Sequence, residues 1–214
     1  MMTRLSTRLA LPAVLAALLA LLLVWLVWVW QPGAVGEADG VTHRRLDLAG
    51  EPTGGDFRLT GVDGPVALSD FRGKVVLLYF GYTACPDICP TNLAIIAYAL
   101  KQLAPAERAG VQVIFVSVDP ARDDPDRLAE YAAYWDPAFL GVTGTAAAVA
   151  AAARQYGAAY RIVEQSDSAM GYLVDHSAFT YVIDPNGTLV ATLPHATPAA
   201  ELGALLRRLL AKGD

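Results

Sequence analysis

Val75-Val-Leu-Leu-Tyr-Phe-Gly81-Tyr-Thr-Ala-Cys85-Pro-Asp-Ile-Cys89-Pro90 is the segment from which the fold can be read. Its apolar run Val75–Phe80 is unbroken, the pattern of a strand buried on both faces in a parallel sheet covered by helices. Beyond it, Leu93, Ile96, Ala97, Leu100 and Leu103 recur at helical spacing until Pro105, and Val111–Val118 is a second buried run. The three together predict a β-α-β unit.

Working outward, Phe57–Thr60 and Val66–Leu68 flank an Asp63-Gly64 turn signal and predict a hairpin ahead of the unit. After it, Pro125–Tyr134 and Ala146–Tyr156 read as helices, with Phe139–Val142 a short strand between them. Ala178–Ile183 and Thr188–Leu193 flank Asp184-Pro185-Asn186-Gly187, a second hairpin. Thr197-Pro198 then supplies an N-cap and first helical residue for a final helix ending at Leu210. The expectation is an α/β domain with a mixed sheet and helices on both faces.

The chain has 214 residues, a formal net charge of −5, 55% hydrophobic residues and a mean hydropathy of +0.38. An acidic chain is a poor non-specific nucleic-acid binder, so no nucleic-acid partner is expected. Such an apolar balance excludes a disordered chain and calls for one concentrated apolar segment. Leu9–Trp30 is that segment: 22 residues carry no charge, and a helix of that length reaches across a hydrocarbon core of about 30 Å. Arg4 and Arg8 precede it and no basic residue follows until Arg44, which predicts a cytoplasmic N-terminus and an exported remainder. Trp25, Trp28 and Trp30 gather at the far end, where indole rings favour the headgroup layer. A cleavable signal peptide is the competing reading, but the run is long for one and Gln31–Gly36 is a poor cleavage site. The organisation expected is a membrane anchor over 1–30, a tether over the Gly- and Pro-punctuated residues 31–55, and a folded domain over 56–214, held single-pass at the inner membrane on its outer side.

Cys85 and Cys89 are the only cysteines, which leaves a local disulfide, a metal site or a redox pair. They lie where a buried strand turns into a helix, the edge at which ligand sites of α/β sheets collect. If residues 85–89 are helical, the i, i+4 spacing puts both sulfurs on one face near a helix N-terminus whose partial positive charge favours thiolate. A helix starting only at Pro90, with a tight turn before it, keeps them close as well.

A further ligand must come from elsewhere. His43 lies in the tether and His195 in a Pro-flanked loop, both read as solvated surface residues, whereas His176 precedes the strand Ala178–Ile183 in a loop that the fold could bring to the cysteine edge. Asp175 beside it could tune the imidazole. Asp87 reads as a first-turn carboxylate, Asp119 as a turn residue before Pro120, and Met170 as a loop filler. On coordination grounds a Cys2His set could hold copper or a catalytic zinc.

The chain resembles the Sco/SenC family of thioredoxin-fold copper-binding proteins involved in cytochrome c oxidase assembly. Gly73-Lys74, Tyr79-Phe-Gly-Tyr-Thr83, Cys85-Pro-Asp-Ile-Cys89 with Pro90, Ser117-Val-Asp-Pro120, Asp175-His-Ser177 and Asp184-Pro-Asn-Gly187 carry the resemblance in order, from about Phe57 to Leu210. It implies a thioredoxin-like fold and a metallochaperone rather than an enzyme. It further implies copper, Cu(I) or Cu(II), held by Cys85, Cys89 and His176, with the two cysteines also able to form a redox disulfide. The implied partners are a copper-receiving oxidase subunit and an upstream copper donor or thiol reductant. Thiol-disulfide oxidoreductases of the same fold have a CxxC motif and a proline near the position of Ala178; here the spacing is CxxxC and the proline is absent. A reductase that keeps the oxidase's copper-ligand cysteines reduced, or a redox sensor, is the rival function.

Overall fold

The computed structural model of the chain describes residues 6–29, 44–164 and 171–211, with side chains in the first segment described for 14–26. Contacts divide the chain into two units, residues 1–42 and 43–214.

In the first unit, α1 spans Ser6–Val29. Leu15, Leu18, Leu22 and Trp25 on it are exposed. Among the described residues no helix is long and apolar enough to cross a membrane.

The second unit opens with β1 (Arg45–Leu46), followed by the hairpin β2 (Arg58–Gly61) and β3 (Gly64–Ala67) and a single 3-10 turn, Leu68–Phe71. Then come β4 (Val75–Gly81), α2 (Ile88–Lys101), the short α3 (Pro105–Ala109) and β5 (Val111–Ser117). The chain continues through α4 (Pro125–Trp135), β6 (Leu140–Val142), α5 (Ala146–Gln155), β7 (Tyr160–Glu164) and β8 (Tyr172–Ser177). It closes with β9 (Thr180–Ile183), β10 (Leu189–Leu193) and α6 (Ala199–Leu210).

The main sheet has the order β10-β9-β4-β5-β6, with β4, β5 and β6 parallel and β9 and β10 antiparallel. This is the mixed, helix-flanked, thioredoxin-like sheet the sequence led us to expect. Every residue of β4 and β5 is buried, which is why both read as continuous apolar runs rather than alternating ones. Leu93, Ile96 and Leu100 face α2 into the core, and α2 packs against α6. Thr145 and Asp124 cap α5 and α4 through their side chains. The Asp184–Thr188 turn is closed by Gly187 N–H to Asp184 O (2.8 Å), with Gly187 at φ 79°.

Two features depart from the sequence reading. A second sheet, β1-β8-β7, replaces the expected loop around His176. The segment 44–55, expected as part of the tether, is bonded to the domain. Arg45 and Leu46 pair with His176 and Ser177, Ala49 N–H donates to Gly157 O (2.8 Å), and Thr53 and Gly54 N–H share Gln155 O (3.0 Å each). These contacts use backbone groups, which need partners whatever the side chains are, so side-chain periodicity carries no trace of them.

Candidate metal centre

β4 lies at the centre of the main sheet and delivers the cysteine turn at its C-terminal end. Beyond Gly81, Tyr82 is buried and its carbonyl accepts from Cys85 N–H (3.2 Å). Pro86 disfavours a helical Cys85, so the helix begins later, at Ile88, with Thr91 N–H to Asp87 O (3.1 Å) as its first full-turn bond. Pro90 is the third helical residue, where the N–H it lacks would have no partner within the helix. The two cysteines therefore do not share a helix face: Cys85 is in the turn and Cys89 in the first helical turn. Asp87 stands at the N-cap without a capping bond, exposed, and Cys89 N–H points instead at Cys85 Sγ (3.5 Å).

Gly81 is a residue whose role sequence reasoning missed. A Cβ there would lie 2.6 Å from Cys89 Sγ and 2.9 Å from Phe115 Cε2, so only glycine lets that sulfur pack against the strand end. Its signal was a glycine closing an otherwise apolar strand.

His176 lies in β8, between Arg45 of β1 and Tyr160 of β7. Its Nδ1 is 3.0 Å from Ser177 O; a carbonyl only accepts, so Nδ1 carries the proton and the lone pair is on Nε2. Nε2 is 3.2 Å from Cys89 Sγ, and ligand atoms of Cys85, Cys89 and His176 all lie within 4.8 Å of one another. All three residues are buried, at 6%, 0% and 1% exposure. The rings of Tyr79 and Tyr82 meet the imidazole edge-on, with centroids at 6.3 and 5.9 Å.

Burial pushes the Cys89 thiol well above its ordinary value of 9.0, and the neighbouring Cys85 sulfur adds to the rise, outweighing the Tyr82 backbone and the Tyr79 hydroxyl. The helix N-terminus thus does not decide the protonation of Cys89; desolvation does. Burial and the nearby cysteines push the Tyr79 phenol up as well. A thiol held up in this way keeps its proton until a metal displaces it.

Asp175 does not tune the imidazole as expected. Neighbouring strand residues face opposite ways, and its carboxylate accepts from Arg44 N–H (2.7 Å) and from Arg161 Nε and Nη2 (3.0 and 2.8 Å). The Ser177 carbonyl holds the ring instead. Asp119 is no mere turn residue: it is buried and accepts from Arg122 Nε (2.5 Å) and Tyr172 Oη (2.7 Å). His195 is half-buried, two residues beyond Leu193, which pairs with Thr180. Ala196 beside it adopts φ 60° and donates its N–H to Asn92 Oδ1 (3.2 Å). Burial and the Arg45 charge hold the His195 imidazole below its ordinary value of 6.5, against Asp87 and Cys85. It is outside the group of three. His43 and Met170 lie outside the described residues.

Two sulfurs and one imidazole make a soft-to-borderline donor set of three. Neither cysteine is in a disulfide, and the two sulfurs are close enough in space to exchange electrons as a pair.

The SCO1/SenC family pattern matches residues 47–211. The mitochondrial protein SCO2 of Saccharomyces cerevisiae is 40% identical over 141 residues, 65% of this chain and 47% of that protein. The chain thus spans about half the length of that relative. The crystal structure of Arabidopsis thaliana ScoI with copper bound superposes with a TM-score of 0.69 at 34% identity, covering 75% of this chain and 99% of that one. The apo Sco1 of Thermus thermophilus superposes at 0.67 with 42% identity, over 80% and 100%.

Proposed function

The chain belongs to the SCO1/SenC family, and from that membership we propose that it binds one copper ion through Cys85, Cys89 and His176 and delivers it to the copper centre of a cytochrome c oxidase. The observation that carries this reading is the convergence of the three ligand atoms within 4.8 Å. A relative of the same fold is copper-bound, which supports copper over zinc for this donor set. Thiolates suit Cu(I), and the imidazole makes Cu(II) acceptable, so the same three residues serve a carrier that meets either oxidation state. Copper here is cargo. On binding it, Cys85 and Cys89 would release their thiol protons to solvent and offer their sulfurs as ligands, while the Ser177 carbonyl keeps the His176 proton on Nδ1 and leaves Nε2 to the ion.

The N-terminal apolar run anchors the domain to the membrane from its outer side, on the strength of Arg4 and Arg8 preceding 22 uncharged residues. The partners are then a copper-receiving oxidase subunit and an upstream copper donor. Residues 1–30 serve as anchor and the residues after them as tether to the copper domain.

The second reading is thiol-disulfide reduction, favoured by the closeness of the two sulfurs. In it the cysteine pair gives two electrons and two protons to a disulfide of the partner, ending as a Cys85–Cys89 disulfide. Burial of both sulfurs and the raised Cys89 thiol work against it, because the thiolate attacks and the thiol does not. Complementation separates the two. His176→Ala leaves both sulfurs in place, so under the carrier reading it fails to restore oxidase assembly in a strain lacking this protein. Full restoration by His176→Ala, with Cys85→Ala inactive, promotes the reductase.

A further inference from the structure

The two halves of the site hang on different sheets. The cysteine turn follows β4 of the main sheet, whereas His176 lies in β8 of the sheet β1-β8-β7. Among the described residues no ladder pairing joins β8 to β4, so the gap between imidazole and sulfurs is fixed by side-chain contacts, among them the Tyr79 and Tyr82 rings against His176, and by what holds the two ends of β8. The C-terminal end of β8 is held by the chain itself, since only Ala178 and Phe179 separate Ser177 from β9. Its other end, at Tyr172, pairs with Glu164 of β7 and has a second hold from outside its own sheet.

That hold comes from the loop after β5. Arg122 Nη1 donates to Tyr172 O (2.9 Å), Tyr172 Oη donates to Asp119 Oδ1 (2.7 Å), and the guanidinium carbon stands 3.6 Å over the centroid of the Tyr172 ring. Arg122 Nε closes the ring of contacts on Asp119 Oδ2 (2.5 Å). The same loop grips the cysteine turn. Asp123, 1% exposed, accepts Thr83 N–H on Oδ2 (2.9 Å) and Thr83 Oγ1 on Oδ1 (2.6 Å). Both oxygens of both carboxylates are engaged, so neither Asp119 nor Asp123 is placed to ligate a metal; they act through Tyr172 and Thr83.

We infer that Asp119–Asp123 is a positioning bracket: one loop clamps the cysteine turn through Asp123 and the histidine strand through Arg122 and Asp119, and thereby sets the distance between His176 and the two sulfurs. The inference rests on the copper-site reading for its functional consequence. Because two thiolates alone satisfy Cu(I) while Cu(II) needs the imidazole, the bracket tunes the oxidation state that the site favours. It makes Arg122 and Tyr172 positioning residues and gives a polar network, buried at cost, a reason to exist.

The test compares Arg122→Leu and Tyr172→Phe with the parent protein, by amide hydrogen exchange without metal and by competition affinities for Cu(I) and Cu(II). Arg122→Leu should speed exchange in β7 and β8 but not in β4 or β5. It should weaken Cu(II) binding by about tenfold or more, the usual effect of losing an outer-shell support, while leaving Cu(I) binding nearly unchanged. Tyr172→Phe keeps the ring under the guanidinium and should move both readouts the same way by less. If Arg122→Leu does not fold, Tyr172→Phe decides alone. Unchanged exchange, or a loss shared equally by the two copper states, overturns the bracket. A parent protein that takes up no copper defeats the copper reading instead, and the metal-free exchange still judges the bracket.

Discussion

At the scale of single residues, protonation governs how Cys89 behaves. Its folded pKa lies above the ordinary 9.0, so the folded state holds that proton more tightly than the unfolded chain does. The resulting stabilisation is fully present below pH 9 and is lost as pH rises from there toward the folded value. Tyr79, raised above 10.0 by burial, adds to the loss further up. Denaturant unfolding of the reduced, metal-free domain from pH 7 to 10 should therefore show stability falling above about pH 9, with a shallower fall in Cys89→Ala. A profile flat to pH 10 would contradict the burial account. The cysteines and their neighbourhood were legible in the sequence because a strand-to-helix edge is a known place for ligands, and His176 stood out by its position among three histidines. What the sequence left illegible was side-chain direction. Asp175 beside His176 faces Arg161, and Asp119 reaches Tyr172, 53 positions away; contacts of that span leave no local pattern.

Among the elements, those with apolar periodicity were legible and those built on backbone pairing were not. β4, β5, α2 and the β9–β10 hairpin lie within a few residues of where periodicity and turn residues put them. β8 escaped notice because its inner positions include Asp175, His176 and Ser177, which break the apolar signature of a buried strand. β1 and the stretch to residue 55 escaped because their bonds are main-chain ones. Their contribution is measurable. A chain begun at residue 44 keeps Arg44 N–H on Asp175, the β1–β8 pairing and the bonds to Gly157 and Gln155; a chain begun at residue 56 loses them all. At about 0.5–1.5 kcal/mol net per hydrogen bond, the shorter chain should be less stable by about 3–7 kcal/mol in equilibrium unfolding. Its β8 should also exchange amide protons faster. Equal stability of the two would mean that 44–55 is a tether after all.

For the molecule as a whole, the metal-ligand group lies where two sheets meet, and the proposed function adds a membrane anchor ahead of that domain. The proposed anchor rests on charge and length in the sequence, and carbonate extraction tests it: under the proposal the full chain stays with the membrane pellet, and release into the soluble fraction would remove the anchor. The family relationship covers residues 47–211, so the segment around the site is shared with relatives while the N-terminal stretch stands on its own physical argument. The central claim is that Cys85, Cys89 and His176 together hold the ion, and X-ray absorption at the copper edge of the loaded domain measures it most directly. The account predicts a first shell of two sulfurs and one imidazole nitrogen, with the nitrogen lost in His176→Ala and the sulfurs retained. A shell without sulfur, or one that His176→Ala leaves unaltered, would contradict it.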